Sequence, residues 1–370
     1  MAPTLNTLHV DLRPEWRGGQ YQAWLLLRGL QARGYGVELV TVAGSALGAR
    51  AAHSRMPVHE VSAPFVRLRA ANCLRRLTRA ATYSVVHAHE AHAHTVLWWA
   101  DLPPTMVRVV SRRVLFPPGT NWLSRRKYRH GLDHYIAVSE QVRKSLATDA
   151  FARAHVSVVY DGVELPTLPT PEQRRAARAR FGLESDVVAL GCLGTLEPGK
   201  GHLQAIEAMP IIRQSIPAHL LLVGEGPLRS QLRGRIEALR LAAVVQMLGR
   251  VAALEEFFAA TDIFLFPAVA EGLGTALLLA MAHQLPVIAL AGTAAAEVIE
   301  DGESGRLILS RHPETIAGAV VYLARHRDLA AQLAAKARTT IAHKFTADHM
   351  VEQTLQVYQT LLGRRESTEA

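Results

Sequence analysis

Residues 8–42, LHVDLRPEWRGGQYQAWLLLRGLQARGYGVELVTV, carry the pattern that decides the fold. Leu8 to Leu12 reads as a short strand, Gly18-Gly19 opens a helical stretch through Tyr21 to Arg33, and Val37 to Val42 reads as a second strand. The helix places apolar residues at Trp24, Leu25, Leu27 and Leu30 and stops at Gly34, as a helix end should. Together they form one βαβ unit, the building block of a parallel sheet.

Outward from this unit the alternation continues. Strand-like runs occur at Ser84 to His87, Met106 to Val110, Tyr135 to Val138 and Val156 to Tyr160, separated by helical or loop segments. Leu165 to Pro171 then holds three prolines in seven residues and reads as a linker before an Arg-rich helix, Glu172 to Phe181. The pattern restarts with Val187 to Leu193, His219 to Val223, Val244 to Leu248, Ile263 to Phe266, Val287 to Leu290 and Gly305 to Leu309. The expected fold class is therefore α/β, with two Rossmann-like doubly wound parallel-sheet domains facing across a cleft at their strand ends. A length of 370 residues suits two domains, and 49% hydrophobic with 20% charged residues is globular composition.

No run approaches the roughly 18 apolar residues of a membrane-spanning helix, and no basic segment followed by an apolar run marks a signal peptide. Cys73 and Cys192 lie far apart without metal-ligand spacing. A cytoplasmic protein is expected. The net charge of +9 is unevenly spread: residues 1–165 carry 21 Lys and Arg against 11 Asp and Glu, and the remainder is nearly balanced at 20 against 21. The first half thus suits an anionic partner, or else simply presents an arginine-rich surface. Its basic stretches Arg67 to Arg79 and Arg112 to His130 mix cations with Leu68, Leu74, Leu77, Phe116, Trp122 and Leu123. That mixture fits peripheral contact with the inner face of an anionic membrane, with solvated helix faces as the alternative. Nucleic acid is not expected as a partner, because no recognised module accompanies the charge.

Two loop-to-helix junctions carry the anion chemistry. Gly194-Thr195-Leu196-Glu197-Pro198-Gly199-Lys200-Gly201 follows a strand and precedes a helix, so its glycines and lysine can receive phosphate oxygens. It is not a Walker A loop, since Gly201 occupies the Ser/Thr position that holds magnesium; a structural glycine turn is the other reading. The second junction, Glu271-Gly272-Leu273-Gly274-Thr275, opens an apolar helix from Ala276 to His283. The amides of Leu273, Gly274 and Thr275 are first-turn donors, and the helix dipole favours an anion there by about 0.3–2 kcal/mol. Glu271 suits hydrogen bonds from sugar hydroxyls, or alternatively caps the helix.

In combination these features resemble the family 4 retaining glycosyltransferases of the GT-B fold. The resemblance extends to Gly18-Gly19, His87-Ala88-His89, Arg112-Arg113-Val114-Leu115-Phe116-Pro117, Ala137-Val138-Ser139 and Val159-Tyr160-Asp161-Gly162-Val163. Val223-Gly224-Glu225-Gly226-Pro227 and Leu248-Gly249-Arg250-Val251 are similar to loops that line the family's nucleotide site. It implies an acceptor-side domain over residues 1–165, a donor domain over 166–344, and a 345–370 segment crossing back to the first domain. It also implies metal-independent hexosyl transfer from a nucleotide-sugar with retention of configuration, and no cofactor. His89 and Glu271 are the expected catalytic residues. Gly194, Thr195, Lys200, Gly224, Gly226, Arg250, Val251, Gly272, Leu273, Gly274 and Thr275 are expected on the donor. Gly18, Gly19, Arg112 and Arg113 are expected on the acceptor or phosphate side. The acceptor would be an anionic glycan or lipid-linked glycan of cell-envelope polysaccharide or lipopolysaccharide assembly.

Two positions depart from the family pattern. Thr195 stands where an Arg is common, and Leu279 where a second glutamate binds ribose hydroxyls. Loss of such a charged acceptor costs about 1.5–3 kcal/mol of donor affinity. A non-catalytic glycan-binding protein on the same fold and a sugar-nucleotide epimerase are the alternatives. His87, His89, His92 and His94 also raise a zinc reading, although no full tetrahedral set is spaced for it.

Overall fold

The computed structural model describes residues 5–115, 122–129, 132–146, 155–251 and 253–369. The chain divides into two compact units, Met1–Gly162 with Ala347–Ala370, and Val163–Thr346.

The first unit is built on seven parallel strands: β1 Asn6–Asp11, β2 Gly36–Val42, β3 Val58–Val61, β4 Val85–Ala88, β5 Val107–Arg112, β6 His134–Ala137 and β7 Val156–Val158. Their order is β3-β2-β1-β4-β5-β6-β7, so the winding reverses between β1 and β4. That reversal opens a crevice at the carboxyl ends of the two strands. In register, His9 of β1 lies beside His87 of β4. The helix between β1 and β2 spans Gly18–Ala32, three residues earlier than the apolar pattern indicates, because the glycine pair is itself helical. Gly34 follows with φ of 80°, a left-handed stop that glycine adopts without strain.

Ala23, Leu26, Leu27 and Leu30 bury one face of that helix in the core. Much of this cover comes from the last helix, Ala347–Glu369, whose Val351, Leu355 and Tyr358 join the same cluster. The approach is close: a Cβ on Gly29 would lie 2.5 Å from Val351 Cγ2. Strand β3 is absent from the sequence reading. It has four residues at the sheet edge, with only Val61 buried, and gives too short an apolar signal.

The second unit holds β8 Val188–Leu193, β9 Ala218–Val223, β10 Val245–Gly249, β11 Ile263–Phe266, β12 Val287–Leu290 and β13 Arg306–Ile308. These are parallel in the order β10-β9-β8-β11-β12-β13, and the winding reverses between β8 and β11. Leu190, Leu220, Leu222 and Leu265 from the strands, with Ile206, Met209 and Val320 from flanking helices, form its core. The Arg-rich helix, Pro171–Arg180, starts with a Thr170/Gln173 capping box. Arg174 and Arg178 from it both reach Asp262 at the start of β11, which fixes the chain after the proline-rich segment onto this sheet. Two doubly wound parallel sheets, one in each unit, match the two Rossmann-like halves expected from the alternation.

Candidate active site

In the second unit the two glycine loops leave the carboxyl ends of β8 and β11, the pair at which the sheet's winding reverses. They are held to each other by the main chain: Val269 N donates to Gly199 O at 2.9 Å. Gly201, with φ of 87°, sits so close to the second loop that a Cβ would lie 2.6 Å from Pro267 O. The sequence position that denies a Walker magnesium ligand is thus required for loop-to-loop contact.

Lys200 and Glu271 form an ion pair, Nζ donating to Oε1, with both side chains only about one fifth exposed. Glu271 does not cap the following helix. That helix spans Thr275–Ala282, its N-cap is Gly274 with φ of 104°, and no side chain accepts its first amides. Among the described residues the amides of Leu273, Gly274 and Thr275 donate to no protein acceptor. Their dipole favours an anion at the helix start, on a loop joined to the Lys200 loop, while the Lys200 charge is itself balanced by Glu271.

The neighbouring loops close in behind. Gly194 N donates to Val223 O at 3.0 Å and Gly224 N to Gly249 O at 2.8 Å. A Cβ on Gly224 would lie 1.8 Å from Gly194 O, and one on Gly226 2.5 Å from Leu196 O. These glycines therefore permit three strand ends to converge. Thr195 turns inward on its own loop, Oγ1 donating to Glu197 Oε2 at 3.3 Å. Arg250 is exposed, Val251 is half-buried, Gly272 is buried, and Leu279 is half-buried along the helix. His202, which the sequence reading passed over, lies buried beside Gly194 with both ring nitrogens lacking a protein partner. Burial and the nearby Lys200 charge push it down to about 4. A cavity of about 740 Å³ lies elsewhere, at the amino ends of β8 and β11, and includes none of these residues.

In the first unit the residues gather at the β1/β4 reversal. Asp11 ends β1 and accepts from Arg13 N at 3.0 Å and from Gln20 Nε2 at 3.0 Å. Burial raises its carboxyl to about 6 despite those bonds. Gly18 and Gly19 begin their helix without a side-chain cap, and Gly19 lies beside the Arg113 side chain. Arg113 and Arg112 diverge. Arg113 donates to Asp161 Oδ1 at 3.2 Å and to the His89 carbonyl at 3.4 Å. Arg112 is buried and donates to the Tyr128 hydroxyl at 2.9 Å. Phe116 and Pro117 of the same motif lie outside the described residues, as do His130 and parts of the basic stretch before it.

His89 is buried and does not group with His92 and His94. His92 is exposed, and His94 packs edge-on against Tyr128 and Tyr135. The true cluster is His9, His87 and His89, whose ring nitrogens offer a three-ligand group within 4.8 Å. Five of those six nitrogens already hold protein partners. His9 meets Thr7 and His89, and His87 meets Ser111 and the Tyr358 hydroxyl. Only His89 Nδ1 has none. Burial holds all three imidazoles neutral, His9 down to about 3. His9 and Tyr358 were invisible to the sequence reading, because they lie 80 residues before and 269 residues after His89.

Residues 16–166 match the family model described as Glycosyltransferase Family 4, and residues 187–326 match the model described as Glycosyl transferases group 1. A GDP-mannose-dependent alpha-(1-6)-phosphatidylinositol monomannoside mannosyltransferase of Mycobacterium tuberculosis is 30% identical over 268 residues. That match spans 70% of this chain and 65% of the relative, a little under two thirds of its length. A phosphatidyl-myo-inositol mannosyltransferase of Mycobacterium leprae is 27% identical over 75% of this chain and 74% of its own. Among solved structures, a glycosyltransferase from Rickettsia africae superposes with a TM-score of 0.84 at 18% identity, covering 97% of this chain and 99% of that one. Anabaena HepE in complex with UDP-glucose gives 0.85 at 18% identity, covering 96% and 100%. At that identity the structural likeness speaks to the fold.

Proposed function

Because the chain belongs to the family 4 glycosyltransferases of the GT-B fold, we propose that it moves a hexose from a nucleotide-sugar to a lipid-linked or glycan acceptor with retention of configuration. The observation that carries this reading is the junction of Lys200 with the unpaired Leu273, Gly274 and Thr275 amides at the β8/β11 reversal. A diphosphate leaving group develops negative charge as the glycosidic bond breaks, and preorganised donors at that point lower the barrier. Lys200 is held by Glu271. Donor phosphates would draw the ammonium to themselves and free the carboxylate for sugar hydroxyls, which couples the two halves of the site.

In this reading His89 serves the transferred sugar, and Arg113 serves the acceptor or a phosphate. Relatives that act on phosphatidylinositol mannosides favour an anionic lipid acceptor, and so does the basic surface of this unit. On the Val66–Ala80 helix Arg67, Arg69, Arg76 and Arg79 are exposed together with Leu68, and Phe65 just before it is 71% exposed. Cations around exposed apolar side chains are the composition of an interfacial docking surface. Among the described residues no helix is long and apolar enough to cross a membrane. A role in cell-envelope glycan assembly follows from such an acceptor.

The test is a transfer assay with UDP- and GDP-hexoses and a phosphatidylinositol-containing acceptor, with the anomer of the product read by NMR. Formation of an α-linked product from an α-linked donor is expected, and Lys200→Ala and Glu271→Ala should each abolish most of it. Unchanged turnover in both variants would sink the assignment.

A further inference from the structure

At the β13 edge of the second unit's sheet an apolar knob stands beside an apolar groove. Leu309, just past β13, is 91% exposed, more than any other large apolar side chain among the described residues. The groove, of about 420 Å³, lies between this sheet edge and the helix Pro313–Arg325. Leu307 and Ile308 line it from the strand, and Ala319 and Tyr322 from the helix. Gly318, exposed on the same helix, leaves open space where a side chain would otherwise stand. Tyr322 is 47% exposed, so the apolar surface is continuous with the knob rather than confined to one residue.

Two features decide what fits there. An edge strand invites another strand, but the Leu307 amide at the middle of β13 donates to Asp301 Oδ1 at 2.8 Å, which blocks strand addition. The occupant must therefore be held by side chains. The helix also runs back along the strand it follows, so the groove has two unlike ends. Glu314, exposed in the first helical turn, stands at the Leu309 end. Arg306, at the start of β13, stands at the Tyr322 end, where it meets Asp301 loosely at 3.7 Å with both side chains about half exposed. A two-fold axis through the groove turns each end onto the other. Leu309 of each copy then enters the groove of the other at Gly318 and Tyr322, and Glu314 of each meets Arg306 of the other. We propose that this face is where two copies of the chain associate as an isologous dimer. It carries both halves of the contact, knob with groove and cation with anion, as a self-complementary surface must. The patch is small, so the dimer is weak, in the range of about 10–100 µM. This proposal is independent of the transfer reading, because the face lies away from the glycine loops at β8 and β11.

Sedimentation velocity of the full chain from about 1 to about 200 µM should show the weight-average coefficient rising from monomer toward dimer. Leu309→Ser removes the knob and Gly318→Leu fills the groove, and each should weaken association about tenfold or more. Both positions face open space, so the two variants should melt as the native chain does. The charges give a sharper test. Arg306→Glu alone and Glu314→Arg alone should each weaken the dimer, because like charges then meet across the axis. An equimolar mixture of these two variants should associate again, since both contacts regain unlike partners. A chain that stays monomeric at every concentration would overturn the proposal. So would dimers that persist in both Leu309→Ser and Gly318→Leu, or a mixture of the charge variants that remains monomeric.

Discussion

Lys200 and Glu271, 71 residues apart in sequence, are paired to one another at the mouth of the second unit's sheet. Each comes from a glycine loop, and with both side chains mostly buried the cost of desolvating two charges offsets much of their attraction, so the pair adds little net stability. Its consequence is chemical. A cation and an anion kept together in this way can be divided between phosphate and hydroxyl when the donor binds.

Lys200→Ala is therefore expected to leave the melting temperature within a few degrees of the native value while lowering kcat/KM by about 100- to 1000-fold, the effect of removing one preorganised charge stabiliser. Thermal unfolding and initial-rate measurements on the same preparation check both halves. A large loss of stability with a small loss of activity would assign the pair a structural role instead.

Gly224→Ala places a Cβ against the Gly194 carbonyl, a contact of 1.8 Å that neither backbone can relieve without moving. Its φ of 142° adds strain for any other residue. A destabilisation of about 1–3 kcal/mol is expected, accompanied by at least tenfold weaker donor binding as the converging loops separate. Chemical denaturation and nucleotide titration measure these; a variant of native stability and affinity would show that the convergence is not needed.

Acid should weaken the first unit through its buried histidines. The His9 ring is held at about 3 in the fold, below its ordinary 6.5. Between those values the unfolded chain binds more protons than the native one, so stability falls as pH drops below about 6.5. The full shift corresponds to about 4–5 kcal/mol, approached near pH 3. Asp11 works against this, since its carboxyl is raised from 3.8 to about 6 and gains stability as pH falls through that window. His87, His89 and His94 are depressed in the same direction as His9, so the histidines prevail. Melting temperatures should decline steadily from pH 7 to pH 4.5; a flat or rising profile would contradict this balance.

Membrane docking by the Val66–Ala80 helix predicts that the protein floats with vesicles containing anionic phospholipid, and that binding fades as salt rises toward 0.5 M. Replacing Phe65 and Leu68 by Ser should reduce recovery at low salt by severalfold. Equal flotation with neutral and anionic vesicles would remove the electrostatic part of the argument.

The sheet alternation and the glycine junctions were legible because each is local: a buried strand, a turn that only glycine permits, a helix start. The edge strand Val58–Val61 was not, having one buried residue among four. The histidine cluster was read by proximity in sequence, which paired His89 with His92 and His94. In the fold, β1 lies beside β4, and that pairing brings His9 to His87 and His89 instead. Nothing local in LHVD announces such a neighbour. The Lys200–Glu271 pair was hidden for the same reason, since each residue reads separately as a ligand of the donor. Asp11 and Gln20, nine apart across a turn, were within reach of a sequence argument but carry no recognisable spacing.

The most direct measurement is calorimetric titration of the full chain with UDP, GDP and ADP, repeated on Lys200→Ala. One of these diphosphates should bind with a submillimolar Kd, and the substitution should weaken it by at least tenfold. Absence of binding by all three at millimolar concentration, or binding that Lys200→Ala leaves unchanged, would contradict a donor diphosphate held at Lys200 and the 273–275 amides.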